Sequence, residues 1–374
     1  MIRTFVTRPG TGDPKGSPEA VLPDCPAVTK VVAGPGAAAR LARELPRIAK
    51  GRWFVVSSKP VFDRHGDALA GAGLVDPPVL VPDGEKAKTW KALGELLDTL
   101  VSRGLRRDCG LVALGGGTVG DVAGLAAALA LRGVPIVQMP TTLLAASDSA
   151  LGGKTAVDLP AGKNLAGVLH HPALVLVDTN FLATLPDRDV RSGLAEIVKT
   201  SFLDVGFHRR MGGLLAGLGA RDPGALAEGA WRSLRVKAGV VARDPEERSG
   251  ARFVLNLGHT AGHALETASG HRLRHGEAVA WGLLTILELS RERGLPEREA
   301  RLMTQRVMEL VNPPKLSPRT LATWPAFLGA DKKADAAGLR VVTLEAAGRP
   351  RVERATPQEI ARAFERALRA YNLG

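Results

Sequence analysis

Residues 109–121 read CGLVALGGGTVGD, an apolar stretch that runs directly into a glycine-rich turn. The apolar half predicts a strand, and the glycines at 115, 117 and 120 have the G-x-G-x-x-G spacing that lets a backbone approach a pyrophosphate at a helix N-terminus. Two features depart from the usual dinucleotide fingerprint. The turn follows the third predicted strand rather than the first, and no acidic residue lies about twenty positions further on. Two interpretations therefore stay open, a phosphate-binding turn and a simple tight connection.

Strand and helix patterns alternate on both sides of this turn. Segments with helical periodicity, such as residues 86–103, separate five apolar runs: Trp53–Ser58, Pro78–Val81, Cys109–Leu114, Pro135–Met139 and Leu174–Val177. This alternation predicts an α/β domain in which helices cover a parallel sheet.

The pattern changes after Pro186, where long helical periodicities dominate. The predicted helices are Val190–Asp204, Gly224–Ala242, Asn256–Ala268, Ala278–Arg293, Glu297–Val311 and Pro357–Tyr371. One exception is a predicted small hairpin that joins Leu339–Leu344 to Arg351–Arg354 across Gly348. We therefore predict an α/β domain over 1–186, with 1–27 as a flexible or loosely packed lead-in, and a mostly α-helical domain over 187–374.

Composition and charge narrow the class of protein. The chain has 374 residues, of which 45% are hydrophobic and 24% charged, as in ordinary soluble domains. It has no transmembrane-length apolar run, no signal-peptide pattern and only two cysteines, so we expect a cytoplasmic enzyme with no membrane partner. The net charge is +12, but the basic residues are scattered and aromatics make up 4%. This pattern disfavours nucleic acid and favours small phosphorylated substrates.

A polar cluster follows the glycine-rich turn. Thr141 and Thr142 close the next predicted strand at the same sheet edge, and residues 147–164 then read SDSALGGKTAVDLPAGKN. We expect Gly152, Gly153 and Gly162 to hold this segment as a loop. Its chemical groups are Asp148, Lys154, Lys163 and Asn164. Lysines in such a loop suit phosphate or carboxylate binding, and surface lysines are the alternative interpretation.

Residues 252–277, RFVLNLGHTAGHALETASGHRLRHGE, contain four of the eight histidines. On a helix the i, i+4 spacing of His259 and His263 stacks both imidazoles on one face, and His275 follows past the turn at Gly270. Neutral imidazole is a common zinc ligand, and a catalytic zinc usually takes three protein ligands. Histidines that only hydrogen-bond the backbone are the alternative.

Glu196 and Lys199 lie i, i+3 in SGLAEIVKTS, on one face of an otherwise apolar predicted helix. They form either a simple intrahelical ion pair or part of a Glu/His/His zinc site. The residues alone leave both interpretations open.

Six sequence blocks resemble, in order, the 3-dehydroquinate synthase family of the sugar-phosphate cyclase superfamily: GGGTVGDVAG, LRGV, PTTLLAASDSALGGKTAVDLPAGKN, LPDRDVRSGLAEIVK, RFVLNLGHTAGHALE and HGEAVAWG. The resemblance implies a Rossmann-like domain that binds NAD, a helical domain, a Zn²⁺ (or Co²⁺) ion and a homodimer. It also implies conversion of 3-deoxy-D-arabino-heptulosonate 7-phosphate to 3-dehydroquinate and phosphate in the shikimate pathway. The alternative is another sugar-phosphate cyclase, acting on sedoheptulose 7-phosphate or a related phosphosugar.

The same resemblance assigns roles by position. The implied metal ligands are Glu196, His259 and His275, so that His263 serves the substrate, contrary to the spacing argument. Substrate contacts are implied for Asp148, Lys154, Lys163, Asn164, Lys199, Lys237, Arg252, Asn256, His263 and Lys332, and for Arg132, which would reach the substrate of a second subunit. NAD contacts are implied for Glu85, Lys88, Gly115, Gly116, Gly117, Asp121, Thr141, Thr142, Lys154, Lys163, Phe181, Thr184 and Leu185. The implied catalytic residues are Lys154, Lys199, Arg252, Asn256 and His263.

The implied chemistry is an oxidation by NAD, elimination of phosphate, re-reduction and an intramolecular aldol, without net redox change. Lys154, Lys199 and Arg132 would offset the charge of the leaving phosphate. The substrate's own phosphate would take the proton in the elimination, so that His263 would chiefly shuttle protons.

Overall fold

The computed structural model describes residues 1–7, 29–328 and 338–370, so that Lys332 and most of the lead-in lie outside the described residues. The chain divides into two compact units, Met1–Leu185 with Lys237–Arg248, and Pro186–Val236 with Ser249–Gly374. The first break lies beside the predicted boundary at 186. Lys237–Arg248, which we placed in the second domain, belongs instead to the first unit. It does so because Lys237 and Glu247 form ion pairs with Asp148 and Lys154.

Nine strands are found in the described part of the first unit: β1 (Arg3–Val6), β2 (Lys30–Gly34), β3 (Trp53–Ser58), β4 (Leu74–Val81), β5 (Gly110–Gly115), β6 (Ile136–Pro140), β7 (Lys154–Leu159), β8 (Gly162–Leu169) and β9 (Leu174–Asp178). Seven form one sheet in the order β1-β2-β9-β6-β5-β3-β4. β1 pairs antiparallel with β2, and the other pairings in this sheet are parallel. The predicted parallel α/β architecture is confirmed, with β1 and β2 as strands that the sequence pattern did not indicate.

Strand β5 explains why an uninterrupted apolar run becomes a central strand. All of its residues are buried, and successive side chains point to opposite faces of the sheet. Leu111 and Ala113 pack against α3 (Trp90–Ser102) and α4 (Gly117–Leu129). Val112 and Leu114 pack on the other face, against α1 (Leu41–Ile48) and α2 (Lys59–His65).

The segment that we predicted as a glycine-rich loop is a β-hairpin. β7 and β8 pair antiparallel, with Lys154 opposite Leu169. Gly152 and Gly153, at φ values of 108° and 74°, form the turn that leads into β7. The loop prediction was wrong because the neighbouring glycines concealed a period of two in KTAVDL, in which Thr155 and Val157 are the buried positions.

From Asp187 onward the chain is mostly helical, as predicted. The helices are α5 (Asp187–Phe202), α6 (Val205–Met211), α7 (Leu215–Gly219), α8 (Pro223–Arg243), α9 (His259–Ala268), α10 (His275–Glu292), α11 (Glu297–Leu310), α12 (Pro318–Thr323) and α13 (Pro357–Ala370). The predicted hairpin is confirmed as β10 (Leu339–Ala346) and β11 (Arg349–Ala355). No helix among the described residues is both long and apolar enough for a membrane crossing.

Helix α10 is the central element of the second unit. Every residue from 276 to 290 is buried, which is typical of a helix surrounded by other elements on all sides. It packs against α5, α9, α11 and α13. The side chains at the N-terminal ends of α9 and α10 are thereby brought next to the middle of α5.

Candidate active site and metal centre

Three side chains with metal-binding groups converge in the second unit. Oε1 of Glu196 lies 3.6 Å from Nε2 of His259 and 3.4 Å from Nε2 of His275. One ligand atom from each of the three residues lies within 4.8 Å of the others. Ligand atoms in a tetrahedral zinc site are separated by about 3.3 Å, given Zn–N bonds of about 2.0–2.1 Å. The spacing therefore fits a single divalent ion.

Glycines allow the three helices to approach this closely. A Cβ atom on Gly276 of α10 would lie 2.2 Å from the carbonyl oxygen of Ser192 in α5. A Cβ atom on Gly282 would lie 1.8 Å from the carbonyl oxygen of Gly258, which precedes α9. Backbone atoms cannot give way at such distances, so only glycine fits both positions.

The structure corrects the predicted start of the histidine-bearing helix. We expected one helix over Asn256–Ala268, but residues 251–256 form a 3₁₀ turn and α9 begins at His259. Gly258 separates the two at a φ of 78°. His259 is consequently the first residue of a helix, as His275 is the first residue of α10.

The pKa shifts in this cluster favour an ionised Glu196 and a neutral His259, which are the forms that bind metal ions. Burial by itself raises the pKa of the Glu196 carboxyl, but the Lys199 ammonium and the two imidazoles hold that pKa well below its ordinary value. Burial and then the Lys199 charge lower the pKa of His259 well below 6.5. Burial acts in the same direction on His275, but contacts with the carboxylates of Glu196 and Glu266 raise its pKa to about 9. A metal ion would bind with release of any proton on His275.

The Glu196 carboxylate also has unused acceptor capacity. It is fully buried, and among the described residues neither oxygen accepts a well-formed hydrogen bond, although Lys199 and both imidazoles lie at ion-pair distance. Buried carboxylates normally have their lone pairs satisfied. A cation bound among Glu196, His259 and His275 would satisfy them, so the residues present fit a divalent metal. Lys199 contacts Oε2 while Oε1 faces the imidazoles, so the ion pair that the sequence offered as one alternative leaves Oε1 available to a metal ion.

Both imidazoles have a partner on the side that faces away from Glu196. Nδ1 of His259 lies 3.1 Å from the carbonyl oxygen of Leu257. Nδ1 of His275 lies 3.4 Å from Oε2 of Glu266, a residue that the sequence analysis did not single out. The sequence spacing does point to Glu266, because it follows His259 by seven positions and therefore lies on the same face of α9.

His263 and Lys199 differ sharply in exposure. His263 is exposed, with its ring centroid 5.2 Å from that of His259 and 6.1 Å from that of His275. Lys199 is fully buried. Arg252 is buried near the start of the 3₁₀ turn, and Asn256, half-buried, ends it.

The glycine-rich turn lies in the first unit, between β5 and α4. Gly116 is the N-cap of α4, so the N–H groups of the first helical turn receive no acceptor from a capping side chain. Such N–H groups at a helix N-terminus form an anion site. The concave surface at this turn is also lined by Asp121, Ser149 and Lys154.

Lys88 connects the helix that carries Asp121, an expected NAD contact, to the hairpin that carries Asn164, an expected substrate contact. Its buried ammonium donates to Oδ2 of Asp121 at 2.7 Å and to the amide oxygen of Asn164. Burial raises the pKa of the Asp121 carboxyl, and the Lys88 charge opposes this. Asn164 adopts a left-handed φ of 56°, and its N–H donates to Asp158.

Two further lysines of the first unit are paired with acidic residues. Nζ of Lys237 lies 2.9 Å from Oδ1 of Asp148 and also donates to its carbonyl oxygen. Nζ of Lys154 lies 2.7 Å from Oε1 of Glu247. Sequence reasoning missed Glu247, because only the tertiary structure brings residue 247 next to residue 154.

The remaining candidate residues of the first unit lie at the ends of strands or in turns. Thr141 is buried directly after β6, and the hydroxyl of Thr142 accepts from the N–H of Ala145. Phe181 and Thr184 both contact the ring of His65. Leu185 is half-buried, and the exposed Lys163 lies 3.9 Å from Glu85.

Arg132 is presented by an unusual backbone. Leu131 and Arg132 both adopt left-handed φ values, 53° and 71°, and Gly133 follows at 120°. Both side chains are exposed. A non-glycine residue in this region of φ is energetically costly and often marks a functional constraint.

Comparisons with known proteins agree on the family. A model of the 3-dehydroquinate synthase N-terminal domain matches residues 78–192, and a model of the C-terminal domain matches residues 193–334. The 3-dehydroquinate synthase of Laribacter hongkongensis (strain HLHK9) is 41% identical over 315 residues, which cover 82% of this chain and 87% of that protein.

Solved structures share the fold. 2-Deoxy-scyllo-inosose synthase, complexed with carbaglucose-6-phosphate, NAD⁺ and Co²⁺, has a TM-score of 0.79 and 25% identity, with 91% of this chain and 97% of that chain covered. 2-Epi-5-epi-valiolone synthase from Streptomyces hygroscopicus subsp. jinggangensis 5008, with NAD⁺ and Zn²⁺ bound, has a TM-score of 0.80 and 27% identity. The match covers 94% of this chain and 99% of that chain. The fold is thus that of the sugar-phosphate cyclases. Within this class, the chain belongs to the 3-dehydroquinate synthase family.

Proposed function

We propose that the protein converts 3-deoxy-D-arabino-heptulosonate 7-phosphate to 3-dehydroquinate and inorganic phosphate, as a carbon–oxygen lyase of the shikimate pathway. The observation that carries this proposal is the cluster of Glu196, His259 and His275 in a chain of this family. A non-catalytic phosphosugar-binding protein would need the basic residues but not a buried metal cluster.

Glu196, His259 and His275 would hold Zn²⁺ or Co²⁺. The ion would act as a Lewis acid that lowers the pKa of a substrate hydroxyl and orients it. The buried Lys199 contacts the ligand carboxylate and offsets its charge, so that the cluster is not strongly anionic.

The first unit would hold NAD, which would accept a hydride from the substrate and later return it. The glycine-rich turn and the N-terminus of α4 suit the pyrophosphate. Lys88 holds Asp121 and Asn164 in fixed positions, and Phe181 and Thr184 pack on His65. These contacts fix the segments that we assign to the cofactor.

Elimination breaks the carbon–oxygen bond to phosphate, and the leaving group carries away the electron pair. Lys154, Lys199 and Arg132 would stabilise the charge that develops on the phosphate. Asp148, Lys163, Asn164, Lys237, Arg252 and Asn256 would hold the sugar hydroxyls and carboxylate. The exposed imidazole of His263 would pass protons to solvent, and the substrate's own phosphate would take the proton from the adjacent carbon.

We also propose that the protein acts as a homodimer in which Arg132 serves the active site of the second subunit. Strained left-handed backbone presents Arg132 outward next to the exposed Leu131. Strand β8 exposes Leu165, Val168 and Leu169, which are apolar side chains that an interface would cover.

One assay tests the proposed reaction. Phosphate release is measured with the heptulosonate phosphate and, separately, with sedoheptulose 7-phosphate, each with NAD and with or without a chelator. We expect release from the heptulosonate phosphate only, abolished by the chelator and restored by Zn²⁺ or Co²⁺, with no net NADH. Preference for sedoheptulose 7-phosphate would instead assign the chain to the other cyclase activity.

A further inference from the structure

The two imidazoles of the metal cluster are oriented by different kinds of partner. His259 faces a main-chain oxygen, that of Leu257, which no side-chain substitution removes. His275 faces a side-chain carboxylate, that of Glu266, at 3.4 Å. In both rings Nε2 is the nitrogen that points towards Glu196.

This arrangement specifies a tautomer. A neutral imidazole can offer the lone pair of Nε2 to a cation only if the proton sits on Nδ1. An acceptor placed at Nδ1 selects that tautomer and fixes the plane of the ring, and such outer partners affect metal affinity strongly. We propose that Glu266 is the positioning residue for His275 and that its carboxylate sets the affinity of the cluster for its divalent ion. The inference depends on the metal site assigned under the proposed function.

The backbone of Glu266 has a separate, structural role. Its carbonyl oxygen accepts from the N–H of His271 and from the hydroxyl of Ser269, and these bonds close the end of α9. They do not involve the carboxylate. Substitution of the side chain should therefore leave this turn intact, so that the effect of the carboxylate on metal binding can be measured by itself.

The two carboxylate oxygens of Glu266 face different histidines, so the contributions of His271 and His275 can be tested separately. Oε1 lies 3.6 Å from Nδ1 of His271, whose side chain is about half exposed, and Oε2 lies 3.4 Å from Nδ1 of His275. If the carboxylate acts through His275, loss of the His271 imidazole should matter little. If Glu266 only stabilises the turn, the His271 and Glu266 substitutions should have the same effect.

The experiment measures metal affinity without substrate or NAD. Apo wild type, Glu266→Ala, Glu266→Gln and His271→Ala are titrated with Co²⁺ against a chelator, and the ligand-field absorption of the bound ion is recorded. Glu365→Gln on α13, where the exposed carboxylate pairs only weakly with Arg369, is the matched control. We expect Glu266→Ala to raise the dissociation constant by about 10- to 100-fold. Glu266→Gln, which keeps an oxygen acceptor without the charge, should lie between it and wild type, and the other two variants should lie within about twofold of wild type.

Each result of the Co²⁺ titrations either supports or contradicts the proposed role of Glu266. Glu266→Ala with wild-type affinity overturns the inference, as does an equal loss in His271→Ala. If Glu266→Ala fails to fold, the volume-conserving Glu266→Gln decides by the same criterion, with wild-type affinity counting against the inference. Absence of one-to-one Co²⁺ binding in wild type would contradict the metal assignment itself, whereas phosphate release tests the proposed reaction independently.

Discussion

Glu196 and His275 lie far apart in the chain, yet Oε1 of the carboxylate is 3.4 Å from Nε2 of the imidazole in the interior of the second unit. His259 approaches the same oxygen to 3.6 Å. The cluster therefore depends on the relative placement of α5, α9 and α10.

Removal of a ligand should remove the metal. We expect Glu196→Ala and His259→Ala to lose both the bound ion and the activity. His263→Ala should keep the ion and lose about 10²- to 10⁴-fold in rate, the usual contribution of an acid–base group. Metal analysis of the purified variants and phosphate-release assays measure both effects. Zinc retained at full occupancy by His259→Ala would defeat the ligand assignment.

Lys199→Met should destabilise the apo protein more than the metal-loaded protein. Both partners of the Lys199–Glu196 pair are buried, and breaking such a pair costs at most about 3–5 kcal/mol, here reduced because His275 also faces the carboxylate. A bound Zn²⁺ would neutralise the same carboxylate. Urea unfolding of wild type and variant, with and without zinc, gives the comparison, and an equal loss in both forms would argue against an ion at Glu196.

Gly276→Ala should push α10 away from α5. The added Cβ would meet the Ser192 carbonyl at 2.2 Å, and we expect a cost of about 1–3 kcal/mol in unfolding free energy together with weaker metal binding. The matched control is Gly239→Ala in α8, where a Cβ meets nothing within 4 Å. The control should be neutral or stabilising by up to about 1 kcal/mol. Thermal unfolding and Co²⁺ titration of both variants test this, and unchanged metal affinity in Gly276→Ala would contradict it.

His208 should make the second unit less stable in acid. Its ring is buried and accepts a hydrogen bond from Arg306 at 2.9 Å. Burial and then the Arg306 charge lower its pKa from 6.5 to about 4. Between these values the unfolded chain binds the proton more readily, so the stability that is fully present above pH 6.5 is lost as the pH falls towards 4.

The His208 effect can be isolated with a variant. The full pKa difference corresponds to about 3 kcal/mol. His208→Gln keeps an acceptor for Arg306 but does not titrate, so the difference in unfolding free energy between wild type and variant should change across this pH window. Urea unfolding at a series of pH values measures it, and parallel curves would refute the expectation.

Arg132 should act in trans if the protein is the proposed homodimer. Arg132→Ala and His259→Ala should each be nearly inactive alone. Mixed and re-associated, they should regain activity, because one site then combines an intact metal cluster with an arginine from the other subunit. Activity that stays at the level of the separate variants would place Arg132 in its own subunit's site or outside the site.

Much of the fold follows from local sequence patterns. The apolar run of β5, the glycine turn after it and the change to helical periodicity after Pro186 predicted an α/β unit and a mostly helical region, both confirmed. Two local predictions were wrong, both in segments that contain glycines. The segment at 152–164 is a hairpin rather than a loop, and α9 begins at His259 rather than at Asn256.

The sequence by itself determined the alternation of strands and helices in the first unit, the mostly helical character of the second, the family and most of the candidate side chains, because periodicity and motif spacing are properties of neighbouring residues. Only the tertiary structure decided which of those groups meet. It brought Glu247 to Lys154, Glu266 to His275, and one oxygen of Glu196 to two imidazoles. The physical reason is that such contacts join segments that are distant in the chain. For the metal cluster, they also depend on how closely the helices pack, which glycines such as Gly276 and Gly282 permit and no local pattern reveals.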